Sequence, residues 1–319
     1  MHYRRLGRSG LKVSEISLGS WVTFGAQIDE TIAINLIKEA YDQGINFFDT
    51  ADVYANGHAE EVMGKAIKDL PREGLVVSSK VFSATMPGIN GKGLSRKHIS
   101  ESIHASLKRL DTDYLDIYFC HRYDPDSPVE EVVRTMTDLI QQGKILYWGT
   151  SEWEPWQVME ANGFAREYNL IPPSVEQPQY NLFHRKRVED GLMPVCRDLG
   201  IGLTTFSPLY YGILTGKYNE GVPLGSRASL EDFGWVRDRI TPERITVVRK
   251  LTEVANDLKI TPSQLAIAWI LRRKEVSSVI TGASRLEQLD ENLGAAEAYE
   301  RLTEVDIDRI FASLGNYRE

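Results

Sequence analysis

Gly44-Ile-Asn-Phe-Phe-Asp-Thr-Ala-Asp-Val-Tyr54 is the stretch from which the rest of the chain is read. Its apolar run, residues 45–48, has the length and composition of a short buried strand. A carboxylate, Asp49, follows at once, and a phenol, Tyr54, stands five residues further on. A strand that ends in an acid and enters a loop carrying a phenol makes poor core. It suits the mouth of a parallel sheet, the carboxyl end of the strands, where ligands bind.

Outward from this stretch the pattern repeats. Short apolar runs recur at 16–19, 45–48, 75–79, 115–120, 145–149, 174–176, 202–206 and 278–281. Most are spaced by about thirty residues, the length of a strand–helix unit. Between them lie segments of helical period. Residues 31–42 put Ile34, Ile37, Ala40 and Tyr41 on one face, and 58–68 do so with Val62, Met63, Ala66 and Ile67. Ser95 precedes a third at 98–109, and 128–141 forms a fourth, stopped by Gly143. Spacings of three and four are those of a helix covering a sheet, and glycine just past a helix end is a common stop signal. Eight strands alternating with helices predict an α/β fold: one (β/α)8 barrel of the TIM type, a single domain over 1–319. Residues 1–13, with turns at Gly7 and Ser9-Gly10, read as a preceding hairpin.

One interval breaks the rhythm. Between the seventh and eighth strands lie two helical segments, 243–258 and 262–273, preceded by a long loop, 207–240, rich in glycine, aromatics and charge. Long loops inside compact domains are usually functional, and in a barrel this one leaves from the active-site face. An open doubly wound sheet is the rival fold. It lacks its fingerprint here: Gly88-Ile-Asn-Gly-Lys-Gly93 has the wrong spacing and follows Pro87. Gly212-Ile-Leu-Thr-Gly-Lys217 is one residue short of a P-loop and is followed by Tyr218 instead of Ser or Thr.

Composition narrows the function classes. Hydrophobic residues at 42% and charged residues at 26% provide for a globular core. The net charge of −8 argues against nucleic acid and anionic membrane as partners. The one basic run, His184-Arg-Lys-Arg187, reads as the solvated start of a helix. Cys120 closes an apolar strand and Cys196 lies in a helical pattern, so both are expected as buried thiols of a reducing compartment. No early segment resembles a signal peptide and no apolar run approaches bilayer length, which points to the cytoplasm. The six histidines never fall in metal-ligand spacing, so a metal enzyme is the poorer reading.

Strand ends carry the chemistry. Asp49, Lys80 and His121 end the second, third and fourth strands, with Tyr54 just beyond the second. A phenol with a reference pKa of about 10 is a weak acid at neutral pH. An adjacent ammonium lowers that value, and a carboxylate keeps the ammonium charged and in place. Asp49, Lys80 and Tyr54 therefore form a candidate proton relay, with His121 supplying a second hydrogen bond to a substrate oxygen. Trp21, Phe82 and Trp235, all after strands on the same face, are candidate walls of a dry pocket.

Phe48-Asp-Thr-Ala-Asp-Val-Tyr54 with Lys80 and His121 resembles the catalytic tetrad of the aldo-keto reductases. The resemblance runs over essentially the whole chain and is closest to the branch containing the potassium-channel β subunits. It is carried by Gly19-Ser-Trp-Val-Thr-Phe-Gly25, Gly93-Leu-Ser-Arg-Lys-His98, Tyr147-Trp-Gly-Thr-Ser151, Asn169-Leu-Ile-Pro-Pro173, Gly225-Ser-Arg-Ala-Ser-Leu230 and Gln264-Leu-Ala-Ile-Ala-Trp269. It implies hydride transfer between NADPH and a small carbonyl substrate. Tyr54 would be the general acid, Lys80 would lower its pKa, Asp49 would pair with Lys80 and His121 would orient the carbonyl.

The resemblance also implies the cofactor contacts. Ser151 and Gln177 would hold the nicotinamide carboxamide, Tyr180 would stack on its ring, and Trp21 would stand beside it. Phe206, Ser207, Pro208 and Leu209, followed by Gly212, Lys217 and Arg227, would meet the pyrophosphate. Gly282, Ser284 and Arg285 would open an anion site at a helix N-terminus, with Gln288, Glu291 and Asn292 reaching the adenine. Arg285 beside Ser284 favours NADP(H) over NAD(H). Channel β subunits generally carry asparagine where His121 stands, and the chain begins almost at the hairpin, with no long segment to plug a pore. Both features favour an enzyme. The alternative is an NADP(H)-binding, redox-sensing channel accessory with little turnover. Glu152 departs from both patterns, with arginine in the channel branch and asparagine in many reductases. A homo-oligomer is left open, since the channel branch forms tetramers.

Overall fold

The computed structural model describes residues 1–21, 23–24 and 27–319, so Val22 and Gly25 of the Gly19–Gly25 motif lie outside the described residues. A hairpin of β1 (Tyr3–Arg5) and β2 (Lys12–Ser14) comes first, then β3 (Ile16–Gly19) and α1 (Glu30–Asp42). Next come β4 (Phe47–Asp49), α2 (His58–Ile67), β5 (Val76–Val81), α3 (Arg96–Leu110), β6 (Leu115–Cys120) and α4 (Val129–Gln141). The second half has β7 (Ile145–Ser151), α5 (Pro155–Glu167), β8 (Val175–Gln177), α6 (Met193–Leu199) and β9 (Gly202–Thr205). A short α7 (Gly234–Arg237) lies in the long loop, followed by α8 (Pro242–Asp257), α9 (Pro262–Leu271) and β10 (Val276–Thr281). The chain closes with α10 (Leu286–Leu293), α11 (Ala295–Arg301) and α12 (Glu304–Leu314).

β3 to β10 form a closed barrel of eight strands, each parallel to its neighbours, with β10 returning to β3. The expected (β/α)8 architecture and its leading hairpin are both present. Period-two alternation sorts the side chains. Phe48, Val77 and Tyr118 face outward under the helices, while Phe47, Val76, Ile117, Phe119 and Val175 fill the interior. Leu6 and Val13 of the hairpin join that inner cluster and plug the barrel floor. The plug sits so close that a Cβ on Gly7 would stand 2.4 Å from the Gly200 carbonyl oxygen.

Two expectations shift in detail. The buried stripe of α1 is Ala33, Leu36, Ile37 and Ala40, which leaves Ile34 and Tyr41 at its edge. The basic run at 184–187 does start a helix, but of its four residues Lys186 alone is exposed. Arg185 is buried against Glu189 at 3.0 Å, and Arg187 reaches Glu152 at 2.7 Å. Both cysteines are free and buried. Among the described residues no helix is long and apolar enough to cross a membrane.

One polar cluster fixes the strand that matters most to the site. Glu60 of α2, fully buried, accepts from Ser79 of β5 at 2.5 Å and from the Arg109 guanidinium of α3 at 2.6 Å. Helices α2 and α3 are thereby tied to β5 at the residue before Lys80. Breaking a buried pair from one side leaves an uncompensated charge. Arg109→Met is therefore expected to lower stability to urea by about 3 kcal/mol, and adding Glu60→Gln should recover part of it. Purely additive losses in that double-mutant cycle would refute the coupling.

Candidate active site

The carboxyl ends of the strands surround a cavity of about 1100 Å³, larger than most small-ligand pockets. At its floor Asp49 Oδ2 accepts from Lys80 Nζ at 2.6 Å, and Lys80 also donates to the Thr50 carbonyl at 2.7 Å. Asp49 Oδ1 accepts from Ser78 at 2.7 Å and from Gln177 Nε2 at 3.0 Å, so one carboxylate links β4, β5 and β8. Lys80 is fully buried behind the cavity wall, with its ammonium 4.9 Å from the centre of the Tyr54 ring. Tyr54 and His121 line the cavity and meet edge to face, ring centres 5.7 Å apart. The residues after Tyr54 form a tight left-handed turn, with Ala55 at φ 47°, Asn56 at 54° and Gly57 at 91°.

Burial sets the protonation states. Removal from water, then the Asp49 carboxylate, pushes the Tyr54 phenol well above its ordinary value, and Arg122 only partly opposes this. The expected lowering by Lys80 is thus reversed. The phenol is dehydrated, and the carboxylate that neutralises Lys80 also faces the phenol. Burial draws Lys80 down against the upward pull of Asp49. His121 is held well below its ordinary value by burial and by the charges of Lys80 and Arg122, so its imidazole is neutral at pH 7. The floor therefore offers a protonated phenol and a neutral imidazole.

Above the floor, Ser151 and Gln177 line the cavity side by side, with Ser151 Oγ donating to the Gln177 carbonyl at 2.9 Å. Glu152, at φ 58°, also lines it, but its carboxylate is held by Arg187 and by the Gln179 amide at 2.6 Å. Trp21, Phe206 and Trp235 form aromatic wall, with Trp21 6.4 Å from Phe206 and 6.3 Å from Trp235. Tyr180 does not join them. It is buried away from the cavity, past the end of β8, 5.2 Å from Trp269 of α9, with its hydroxyl on Glu189 at 3.0 Å. Gln177 and Gln179 face the cavity, so the residue after them faces away. Phe82 is also absent from the wall, packing outside it beneath Lys92. Tyr211 and Phe233 complete the wall and were not legible in advance, Tyr211 being aimed by its own left-handed backbone at φ 61°.

The far end of the cavity is cationic. Ser207, Pro208, Leu209 and Gly212 lead along it to Lys217 and Arg227, while Gly282, Ser284 and Arg285 come from the opposite side. Lys217 is pulled down to about 8 by burial and by the neighbouring Arg227 and Arg285, with only Glu291 opposing. Arg227 is also lowered by burial, and its Nε has no partner. A lysine lowered by two neighbouring guanidinium groups marks a site for a polyanion. Gln288 accepts from the Ser284 amide at 2.8 Å and from its hydroxyl at 3.1 Å, holding the donors an anion would take. Glu291 and Asn292 line the same end, with Asn292 Nδ2 on the Gly282 carbonyl at 3.4 Å. The donor set fits the phosphates of a dinucleotide.

The profile described as "Aldo/keto reductase family" matches residues 15–314. The chain belongs to that family. It is 49% identical to a "Probable voltage-gated potassium channel subunit beta" of Arabidopsis thaliana, over 97% of this chain and 95% of the relative. The rice relative of the same description is 48% identical over 98% and 96%. A "Putative voltage-gated potassium channel subunit beta" of Schizosaccharomyces pombe is 49% identical over 94% and 90%. As an aldo/keto reductase the chain is an oxidoreductase of a family that generally uses NAD(P)H.

Lys217 gives a test of the cationic end. Below about 8 it is charged and meets an anion directly. Above that, binding must first take up a proton, which weakens it by up to about tenfold per pH unit. Calorimetry with adenosine 2′,5′-bisphosphate should show affinity falling as pH rises through 8, and Lys217→Met should flatten that dependence. An unchanged slope in the variant would place the titrating group elsewhere.

Proposed function

We propose that this aldo/keto reductase is an NADP(H)-dependent carbonyl reductase that converts aldehydes or ketones to alcohols, with Tyr54 as general acid. The observation that carries this reading is the protonated Tyr54 phenol beside a neutral His121 imidazole, over the buried Lys80–Asp49 pair. When bound, the nicotinamide cofactor supplies the hydride that reaches the carbonyl carbon. Tyr54 gives its proton to the carbonyl oxygen as charge develops there, and the Lys80 ammonium stabilises the phenolate left behind. His121 donates a hydrogen bond to the same oxygen and orients the substrate. Trp21, Tyr211 and Trp235 keep water from the reacting carbon.

Ser151 and Gln177 suit the carboxamide, and Phe206, in place of Tyr180, is the ring positioned to pack on the nicotinamide. Arg285 and Lys217 support a 2′-phosphate and so NADP(H). The match over 15–314, with the hairpin plugging the barrel, supports one domain over 1–319. Two free buried thiols support a cytoplasmic setting.

The relatives' names support a second reading, an NADP(H)-binding accessory subunit of a potassium channel with little turnover. Assay of NADPH and NADH oxidation with 4-nitrobenzaldehyde and a wide carbonyl panel separates the two. Turnover favouring NADPH is expected, and tight cofactor binding without turnover of any carbonyl would favour the accessory.

Tyr54→Phe should retain cofactor affinity and lose about 10²- to 10⁴-fold in reduction. In the wild type the reduction rate should hold through neutrality and fall only above the ordinary tyrosine value of about 10, where the donor proton is lost. Asp49→Asn removes an upward push on the phenol, so this alkaline limb should move to lower pH, with a reduced rate. Equal losses from the two variants, with no movement of the limb, would contradict the separate roles.

A further inference from the structure

Arg122 follows His121 at the reacting end of the cavity; its charge helps keep His121 neutral, but it makes no bond to the reacting groups in the steps above. Its side chain is exposed and lines the cavity. Among the described residues its one side-chain hydrogen bond is to the His121 carbonyl oxygen, and no carboxylate pairs with it. The other charged side chains that line this end are paired or have a paired partner behind them, among the described residues. Lys80 is matched by Asp49 at 2.6 Å, and Glu152 by Arg187 at 2.7 Å. Asp52 is buried without a hydrogen-bond partner among the described residues, is pushed up to about 7 by burial and by Glu60, and does not line the cavity. Among the described residues that line the reacting end, Arg122 is the charge left without a counter-ion, although the chain as a whole is at −8.

Resting on the carbonyl-reductase reading, we infer that the preferred substrates carry an anionic group, a carboxylate or its equivalent, and that Arg122 is the residue that selects them. A guanidinium presents donors in a planar fork that matches a carboxylate. One nitrogen is held by the His121 carbonyl, which leaves the rest of the fork for a ligand and fixes it relative to the imidazole. A substrate whose carbonyl lies between Tyr54 and His121 would project its far substituent toward this rim. The anionic group takes no part in the bond changes, and its contribution is to binding and orientation. The aromatic wall of Trp21, Tyr211 and Trp235 leaves room for an aryl or alkyl spacer between the two groups.

Isosteric probes isolate the charge: 4-formylbenzoate and 4-formylbenzamide, assayed with NADPH. The wild type should favour the carboxylate in kcat/KM by about tenfold, through KM, with the preference shrinking as salt rises. Arg122→Met should collapse the ratio to near one, and Arg122→Lys should restore part of it. The same preference should appear without turnover, as quenching of tryptophan fluorescence by 4-(hydroxymethyl)benzoate over 4-(hydroxymethyl)benzamide. Equal kcat/KM for the two aldehydes in the wild type, or a preference that survives Arg122→Met, would overturn the assignment. Selective binding of the acid without reduction of either aldehyde would keep the anion site and remove the reductase reading.

Discussion

An ammonium at the floor of a barrel is stable there only if its lost hydration is replaced, because burying an unpaired charge costs several kcal/mol. Lys80 meets this condition with the Asp49 carboxylate, the Thr50 carbonyl and the face of the Tyr54 ring. Asp49 in turn is satisfied by Ser78 and Gln177, so the pair spans three strands, two of them on different sides of the closed sheet. Removing either ion would leave the other without compensation. The pair is thus a registration device for the barrel mouth. Lys80 is itself placed by the Ser79–Glu60–Arg109 cluster behind β5.

From this pair follows the division of the cavity into two electrostatic regions. Near the floor, the ion pair contributes little net charge, and burial keeps the phenol protonated and the imidazole neutral. Both groups can then donate a hydrogen bond to a ligand oxygen. At the other end, Lys217 is lowered by burial and by Arg227 and Arg285, with Glu291 opposing. Such an arrangement is unfavourable for the protein alone and favourable once a polyanion is present. The long segment between β9 and β10 supplies Lys217 and Arg227 to this region, a position only a loop leaving the barrel mouth could reach.

The barrel was legible because its signal is redundant. Eight apolar runs at nearly regular spacing reappear as the eight strands, with bounds displaced by a residue or two. Asp49, Lys80 and His121 are legible as strand-end charges, and the fold brings them together with Tyr54. What failed is what depends on side-chain direction and dielectric. Tyr180 was expected in the cavity, yet alternation from Gln177 through Gln179 sends it outward to Trp269. That parity could have been read from the chain. Phe82 lies one residue past the end of β5 and packs outside the wall beneath Lys92. The upward shift of Tyr54 was hidden because it depends on burial and on the placement of Asp49, neither of which sequence spacing specifies. Glu152, which fits no expected pattern, is explained by Arg187, thirty-five residues away, in a run that had been read as solvated.

Backbone strain gives an independent indication of where the chain has been shaped for a ligand. Among the described residues, nine non-glycine positions have positive φ. Three of them, Asp111, Asn169 and Lys259, lie just beyond helix ends, where a left-handed residue closes the last turn. The other six are Ala55, Asn56, Glu152, Ser207, Tyr210 and Tyr211, and all line the cavity or adjoin residues that do. Each such residue costs about 1 kcal/mol or more and persists only where its surroundings hold it. Ala55 and Asn56 turn the chain immediately after Tyr54, and Tyr211 swings into the aromatic wall, so the strained backbone directs the side chains that face the substrate. The barrel strands and their ion pair are the rigid part of the site, and these turns carry the strain that fits it to a ligand.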